Sequence, residues 1–136
     1  MGPGRGVLGG RRIAKSTEAK GTLTILVIRG PYVSQAPELA VRTAIEARRQ
    51  GYSVNLFLYL DGVFNAHLTK DKDYHNPGEW LRWCVEKGIN VAMCSRCTGA
   101  RDLDTKCAIP GIRFGSVWEE LTHMIDDSDK VLTFTE

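Results

Sequence analysis

Several familiar signatures are missing from this chain, and each absence narrows its class. No stretch approaches the ~20 consecutive apolar residues of a membrane span. The first twenty residues lack the apolar core of ~7 to 15 residues that a secretory signal needs. A soluble, cytoplasmic protein without membrane contact is therefore expected. Charge of one sign is scarce as well, with a formal net charge of +2. Four of the 18 Lys and Arg residues, Arg5, Arg11, Arg12 and Lys15, fall near the start. The remainder is close to neutral and lacks the electrostatic footprint of a direct nucleic-acid binder. There is no internal repeat, no second C-x-x-C and no H-x-x-x-H, so the matched ligand pairs of a closed zinc site are missing and no metal is expected. The turn "RGPYVSQ" has one Gly and no Lys-Ser/Thr, which gives a phosphate loop little support.

What is present suits one compact domain. The 136 residues are 43% hydrophobic, enough for a core that needs no covalent staples. The opening, "MGPGRGVLGGRRIAKSTEAKG", is Gly-rich with scattered Arg and Lys and has almost no apolar periodicity. It buries too little to offset its ordering entropy. Residues 1–20 are therefore expected to be a disordered arm or a remnant of expression, and residues 21–136 the folded domain.

Within that domain strands and helices alternate. "TLTILVIRG" (22–30) is an apolar, β-branched run stopped by Gly30-Pro31, as in a strand buried on both faces. In "SQAPELAVRTAIEARRQG" the positions Ala36, Leu39/Ala40, Ala44 and Ala47 recur at helical spacing. Ser34 is the candidate N-cap, Pro37 falls in the first turn and Gly51 is the stop. "YSVNLFLYLDG" (52–62) repeats the strand pattern, and a polar connection of about 16 residues follows, longer than an ordinary connector. A helix is expected from about Glu79 to Lys87, and a third strand in "INVAMC". "CTGARDLD" suits a short helix, "GSVWEELTHMIDDS" a helix capped by Ser116, and "KVLTFTE" a last strand. This order implies an α/β fold with a parallel sheet and helices on both faces, a three-layer α/β/α sandwich. Chemistry on such sheets gathers outside the carboxyl ends of the strands.

Cysteine chemistry is the strongest functional signal. In a reducing compartment Cys84, Cys94, Cys97 and Cys107 are more often catalytic, metal-binding or buried than disulfide-bonded. In "VAMCSRCTGARD" Cys94 closes the third strand and Cys97 falls in the first turn of the next helix. Unpaired N–H groups and a helix dipole favour a thiolate there. Arg96 and Arg101 add positive charge, with Arg101 four residues beyond Cys97 on one helical face. The bland alternative is that Cys94 is a small hydrophobe ending a strand. Cys84, beside Trp83, reads as packing, and Cys107 as an incidental loop cysteine or a resolving thiol. His67, His75 and His123 have no nucleophile beside them in sequence and read as surface or packed residues.

The order of these segments resembles the DsrE/TusD sulfur-relay family. "VIRGPYVSQAPELAVRTAIEARRQGYSVNLFLYLDGVFNAH" carries the family's strand, its GP-Y-x-x-Q turn, its Ala-rich helix, its next strand and DGV-x-N-A. "GIRFGSVWEELTHMIDDSDKVLTF" is similar to its terminal helix and strand. The resemblance runs from about Thr22 to Phe134. It implies a mostly parallel sheet of five strands and assembly into trimers or hexamers, or into hetero-oligomers with related subunits. It also implies sulfur donor and acceptor proteins as partners, no cofactor, and a persulfide-carrying cysteine that falls on Cys94. Cys97 is a departure from the relay proteins that have one cysteine there, and would act as a modifier or a resolving thiol. Two other readings stay open: a redox-sensing or regulatory subunit using Cys94 and Cys97 as a reversible disulfide, and a small-ligand or nucleotide-binding domain with incidental thiols.

Overall fold

A computed structural model of the chain describes residues 19–66, 76–103 and 109–135. The expected arm at 1–20 lies outside them apart from its last two residues, as do His67, His75, Cys107 and most of the long connection. Five parallel strands form one sheet: β1 (Thr22–Val27), β2 (Ser53–Leu58), β3 (Asn90–Cys94), β4 (Arg113–Gly115) and β5 (Lys130–Phe134), in the order β4-β3-β2-β1-β5. Four of these strands coincide with expected runs. The three-residue β4, an edge strand too short for a periodic signal, was not read from the residues and was implied only by the family resemblance.

The connections dictate the layers. From β1 to β3 the chain steps in one direction across the sheet, through α1 (Ala36–Arg49) and α2 (Pro77–Glu86), which pack on each other. From β4 to β5 it returns across the whole sheet. Right-handed crossovers then place the returning helix on the opposite face. That segment is a π-helical turn, Val117–Leu121, running into α4 (Thr122–Asp126). The Thr24 hydroxyl donates to the Met124 carbonyl and fixes which face α4 covers. Among the described residues, no helix is long and apolar enough to cross a membrane.

Side chains alternate along strands, and in-register neighbours share a face. The α1/α2 face therefore holds Ile25, Val27, Val54, Leu56, Leu58, Val91 and Met93, all buried. The α4 face holds Thr24, Asn55, Asn90 and Arg113, which form a polar ladder across four strands. Asn55 Nδ2 donates to Thr24 Oγ1 at 3.1 Å, and Asn90 Nδ2 donates to Asn55 Oδ1 at 2.9 Å. Arg113 then donates to Asn90 Oδ1 and to Glu120, a carboxylate with 1% of its surface exposed.

Helix starts depart from expectation in small, explicable ways. Gln35 occupies the N-cap of α1 with no side-chain bond, while Ser34 Oγ accepts the Ala36 N–H at 3.0 Å from one residue further out. Helix α2 starts at Pro77, two residues early, because Asn76 Oδ1 accepts the Glu79 N–H and Pro77 needs no partner at the first helical position. Ser116 caps as expected, accepting from Glu119 N at 2.9 Å. Strand β2 stops at Leu58, and "LDGVFN" forms a 3₁₀ turn instead of continuing the strand.

Candidate functional site

The carboxyl end of β3 runs without a linker into α3 (Ser95–Ala100). Cys94 is at once the last strand residue and the N-cap of α3, its Sγ accepting the Cys97 N–H at 3.4 Å. Thr98 Oγ1 donates to the Cys94 carbonyl at 2.6 Å and locks the junction. At six residues α3 is too short to add much of a dipole, and among the described residues this amide is the one hydrogen-bond donor to the Cys94 sulfur.

The second sulfur is held by a segment to which the sequence reading gave no role. The 3₁₀ turn Leu60–Asn65 packs beside α3, and the Leu60 N–H donates to Cys97 Sγ at 3.3 Å. The turn is seated by close approach. A Cβ on Gly62 would lie 2.0 Å from the Val27 carbonyl oxygen, so only glycine lets the turn lie against β1. Asn65, almost fully buried, donates to the carbonyls of Arg29 (2.8 Å) and Gly62 (2.9 Å) and ties the turn to the chain leaving β1. Leu60 has a φ of 54°, a left-handed conformation that a leucine adopts only under constraint.

Arg101 connects the two pieces. Its Nε donates to Asp61 at 2.9 Å and its Nη1 to the Cys97 carbonyl at 3.1 Å, with the guanidinium 6.0 Å from the Phe64 ring centroid. Its charge is thus engaged with the turn. Arg96, the other cation expected at the site, is exposed and makes no hydrogen bond or ion pair with either sulfur. Both cysteines are buried, with 3% of Cys94 and 8% of Cys97 exposed. Burial pushes the Cys97 thiol up, the adjacent Cys94 sulfur pushes it further, and the Leu60 amide and Arg101 act against them. The geometry brings together two sulfurs, two backbone donors and one engaged guanidinium, an arrangement suited to thiol exchange.

Cys84 is elsewhere, on the buried face of α2, where burial pushes its thiol up to about 12. It packs, as its neighbours in sequence imply. His123 is half-buried on α4, its Nδ1 against the Glu119 carbonyl. Among the described residues no three of His, Cys, Asp and Glu converge in a way that would hold a metal ion. Leu60, Asp61, Gly62 and Asn65 join the candidate site although sequence reasoning gave them no chemical role; Asp61, Gly62 and Asn65 were visible only as part of the DGV-x-N-A pattern of the family resemblance.

Comparison with known proteins agrees with this architecture. Residues 22–134 match the model of the DsrE/DsrF-like family. An uncharacterized protein of Methanopyrus kandleri is 31% identical over 113 residues, covering 82% of this chain and 93% of that protein. An uncharacterized protein of Methanocaldococcus jannaschii is 30% identical over 112 residues, covering 82% and 97%. The crystal structure of the E. coli YchN protein superposes with a TM-score of 0.77 at 29% identity, covering 84% of this chain and 99% of YchN. A conserved protein of unknown function from Bacteroides thetaiotaomicron, 18% identical with a TM-score of 0.66 over 87% and 98% of the two chains, shares the fold.

Proposed function

Because this chain belongs to the DsrE/DsrF-like family, we propose that it is a sulfur carrier that accepts persulfide sulfur on Cys94 and passes it on. The observation that carries this reading is the position of Cys94: at the carboxyl end of an interior strand, its sulfur accepting the Cys97 amide, with a second thiol beside it. Membership in the family supports a sulfur-relay role in general terms, and the residue assignment is ours. In the proposed cycle the Cys94 thiolate attacks the terminal sulfur of a donor persulfide. A bond forms between Cys94 Sγ and that sulfur, and the donor cysteine leaves as its thiolate. An acceptor cysteine then attacks the outer sulfur, and Cys94 leaves in turn. Each step is thiol exchange, governed by thiolate fraction, leaving group and access. The chemistry draws on cysteine sulfur alone.

Donor and acceptor proteins are the proposed partners, in tRNA thiolation or in sulfur oxidation, and a reducing cytoplasm would keep the thiols available. Assembly into trimers or hexamers, or with related subunits, is part of the proposal. Trp118, 85% exposed, together with the exposed Phe114, Ile125 and Val131, supports a protein that meets other chains. A gel-filtration mass near the 15.1 kDa monomer would count against it.

Mass spectrometry after incubation with a sulfane-sulfur donor tests the assignment. A gain of about 32 Da, kept in Cys97→Ser and lost in Cys94→Ser, supports it. The absence of any adduct on either cysteine overturns it. The hydrogen bond from Cys97 N to Cys94 Sγ also supports a second reading, a redox sensor. In that case oxidation removes two hydrogens and joins the pair with no sulfur gained.

A further inference from the structure

Two features of the 3₁₀ turn have no part in a carrier that uses Cys94 alone. Leu60 is held at a positive φ, and its N–H is aimed at the sulfur of Cys97, not of Cys94. A backbone amide that donates to a sulfur favours the charged form of that sulfur. Gly62 and Asn65 seat the turn against the chain leaving β1, but neither reaches α3. Asp61, next in sequence to Leu60, is gripped by Arg101, whose other donor is on the Cys97 carbonyl. One guanidinium therefore bridges the segment that carries the amide and the residue that carries the sulfur.

We propose that the Asp61–Arg101 ion pair is a positioning device that keeps the Leu60 amide on Cys97, so that Cys97 discharges the persulfide on Cys94 as sulfide. This rests on the reading of Cys94 as the sulfur carrier and assigns Cys97 its role within it. The Cys97 thiol gives its proton to solvent, and the thiolate attacks Cys94 Sγ. The Cys94–Cys97 disulfide forms, the bond from Cys94 to the outer sulfur breaks, and that sulfur leaves as HS⁻ with the bonding electrons. The Cys97 sulfur is oxidised from thiol to disulfide level, the outer sulfur is reduced to sulfide, and Cys94 Sγ exchanges one S–S bond for another. An external dithiol reductant, supplying two electrons and two protons, restores the pair.

The test uses the full chain loaded with inorganic polysulfide and freed of excess reagent. Sulfide release is measured per loaded Cys94, and the Cys94–Cys97 disulfide is followed by mass. The pH profile of Cys97 alkylation is recorded separately in a Cys94→Ser background. The wild type is expected to release sulfide and gain the disulfide, whereas Cys97→Ser retains its outer sulfur. Asp61→Asn and Arg101→Gln should each slow release about tenfold and move the Cys97 midpoint up by about one pH unit, and Arg101→Lys should recover much of both. Asp61 is well exposed, so Asp61→Asn is expected to fold. Unchanged release and an unchanged midpoint in Asp61→Asn and Arg101→Gln overturn the proposal. So does loss of sulfur from Cys97→Ser at the wild-type rate. If Cys94 never loads, the carrier reading fails together with this one, and the mass of the loaded protein distinguishes that outcome from the other two.

Discussion

Cys84 and Cys94 lie on opposite sides of one sheet, both buried, and their surroundings differ in kind. Cys84 lies on the buried face of α2, which covers the apolar face of the sheet, and its thiol is pushed up to about 12 by burial, with Lys87 acting against it. Cys94 belongs by register to the face that carries Asn90 and Arg113. Its sulfur accepts an amide, and its neighbour Cys97 accepts another. Burial alone makes a thiol inert, whereas burial with directed donors keeps it usable while excluding competing reactions. A related contrast holds for the two faces: one is apolar throughout, and the other combines core residues such as Phe57 and Ala92 with a hydrogen-bonded ladder ending in a buried ion pair.

The largest expected effect comes from breaking that ladder. Glu120→Ala should lower stability in urea by about 3–5 kcal/mol, because it strands a mostly buried Arg113. Replacing both partners by leucine should recover most of the loss. A double variant as unstable as the single one would mean that the pair is worth more than its burial penalty.

Next in size is the reactivity contrast. At pH 8 a thiol titrating near 12 is ionised to roughly one part in ten thousand. Alkylation of native protein, mapped by mass, should therefore mark the Cys94/Cys97 pair at least ~100-fold faster than Cys84. Comparable rates would break the distinction drawn here.

Cys84 also predicts a pH effect whose sign is fixed. The folded-state value of about 12 lies above the ordinary 9.0. Below pH 9 both states hold the proton, and Cys84 contributes no slope. Above it the unfolded chain loses the proton first, so stability falls as pH rises from 9 toward 12. Denaturation midpoints of Cys84→Ala should fall less steeply across that window than those of the wild type. Parallel curves would show that Cys84 reaches solvent.

The smallest effect expected is at Leu60. In Leu60→Gly, relief of a left-handed penalty of about 1–2 kcal/mol offsets the added freedom of the unfolded chain, so stability should stay within about 1 kcal/mol of wild type. Leu60→Val, a β-branched residue forced into the same φ of 54°, should lose more. The reverse order would mean that the Leu60 side chain, not its backbone, holds the turn.

How much of this was legible beforehand differs between fold and site. The apolar runs of β1, β2 and β3, the Ala-rich periodicity of α1 and the Ser116 cap are local signals, and all were readable. Strand β4 was not, because three residues carry no period and its pairing with β3 is long-range. Cys94 and Cys97 were singled out by spacing and by an expected position at a strand end, and they do lie at the β3–α3 junction. Arg101 was found for its charge, but its partners were not, since Asp61 stands forty residues away in sequence.

The sequence by itself determined the alternation of strands and helices, the parallel sheet that such alternation requires, and the placement of two cysteines at a strand's carboxyl end. These follow from local propensity and from the need for crossovers between parallel strands. Only the tertiary structure decided what those cysteines experience. The Leu60 amide and the Asp61 carboxylate reach α3 because β2 pairs with β3, and no local pattern encodes a contact made by the folding of distant segments onto each other.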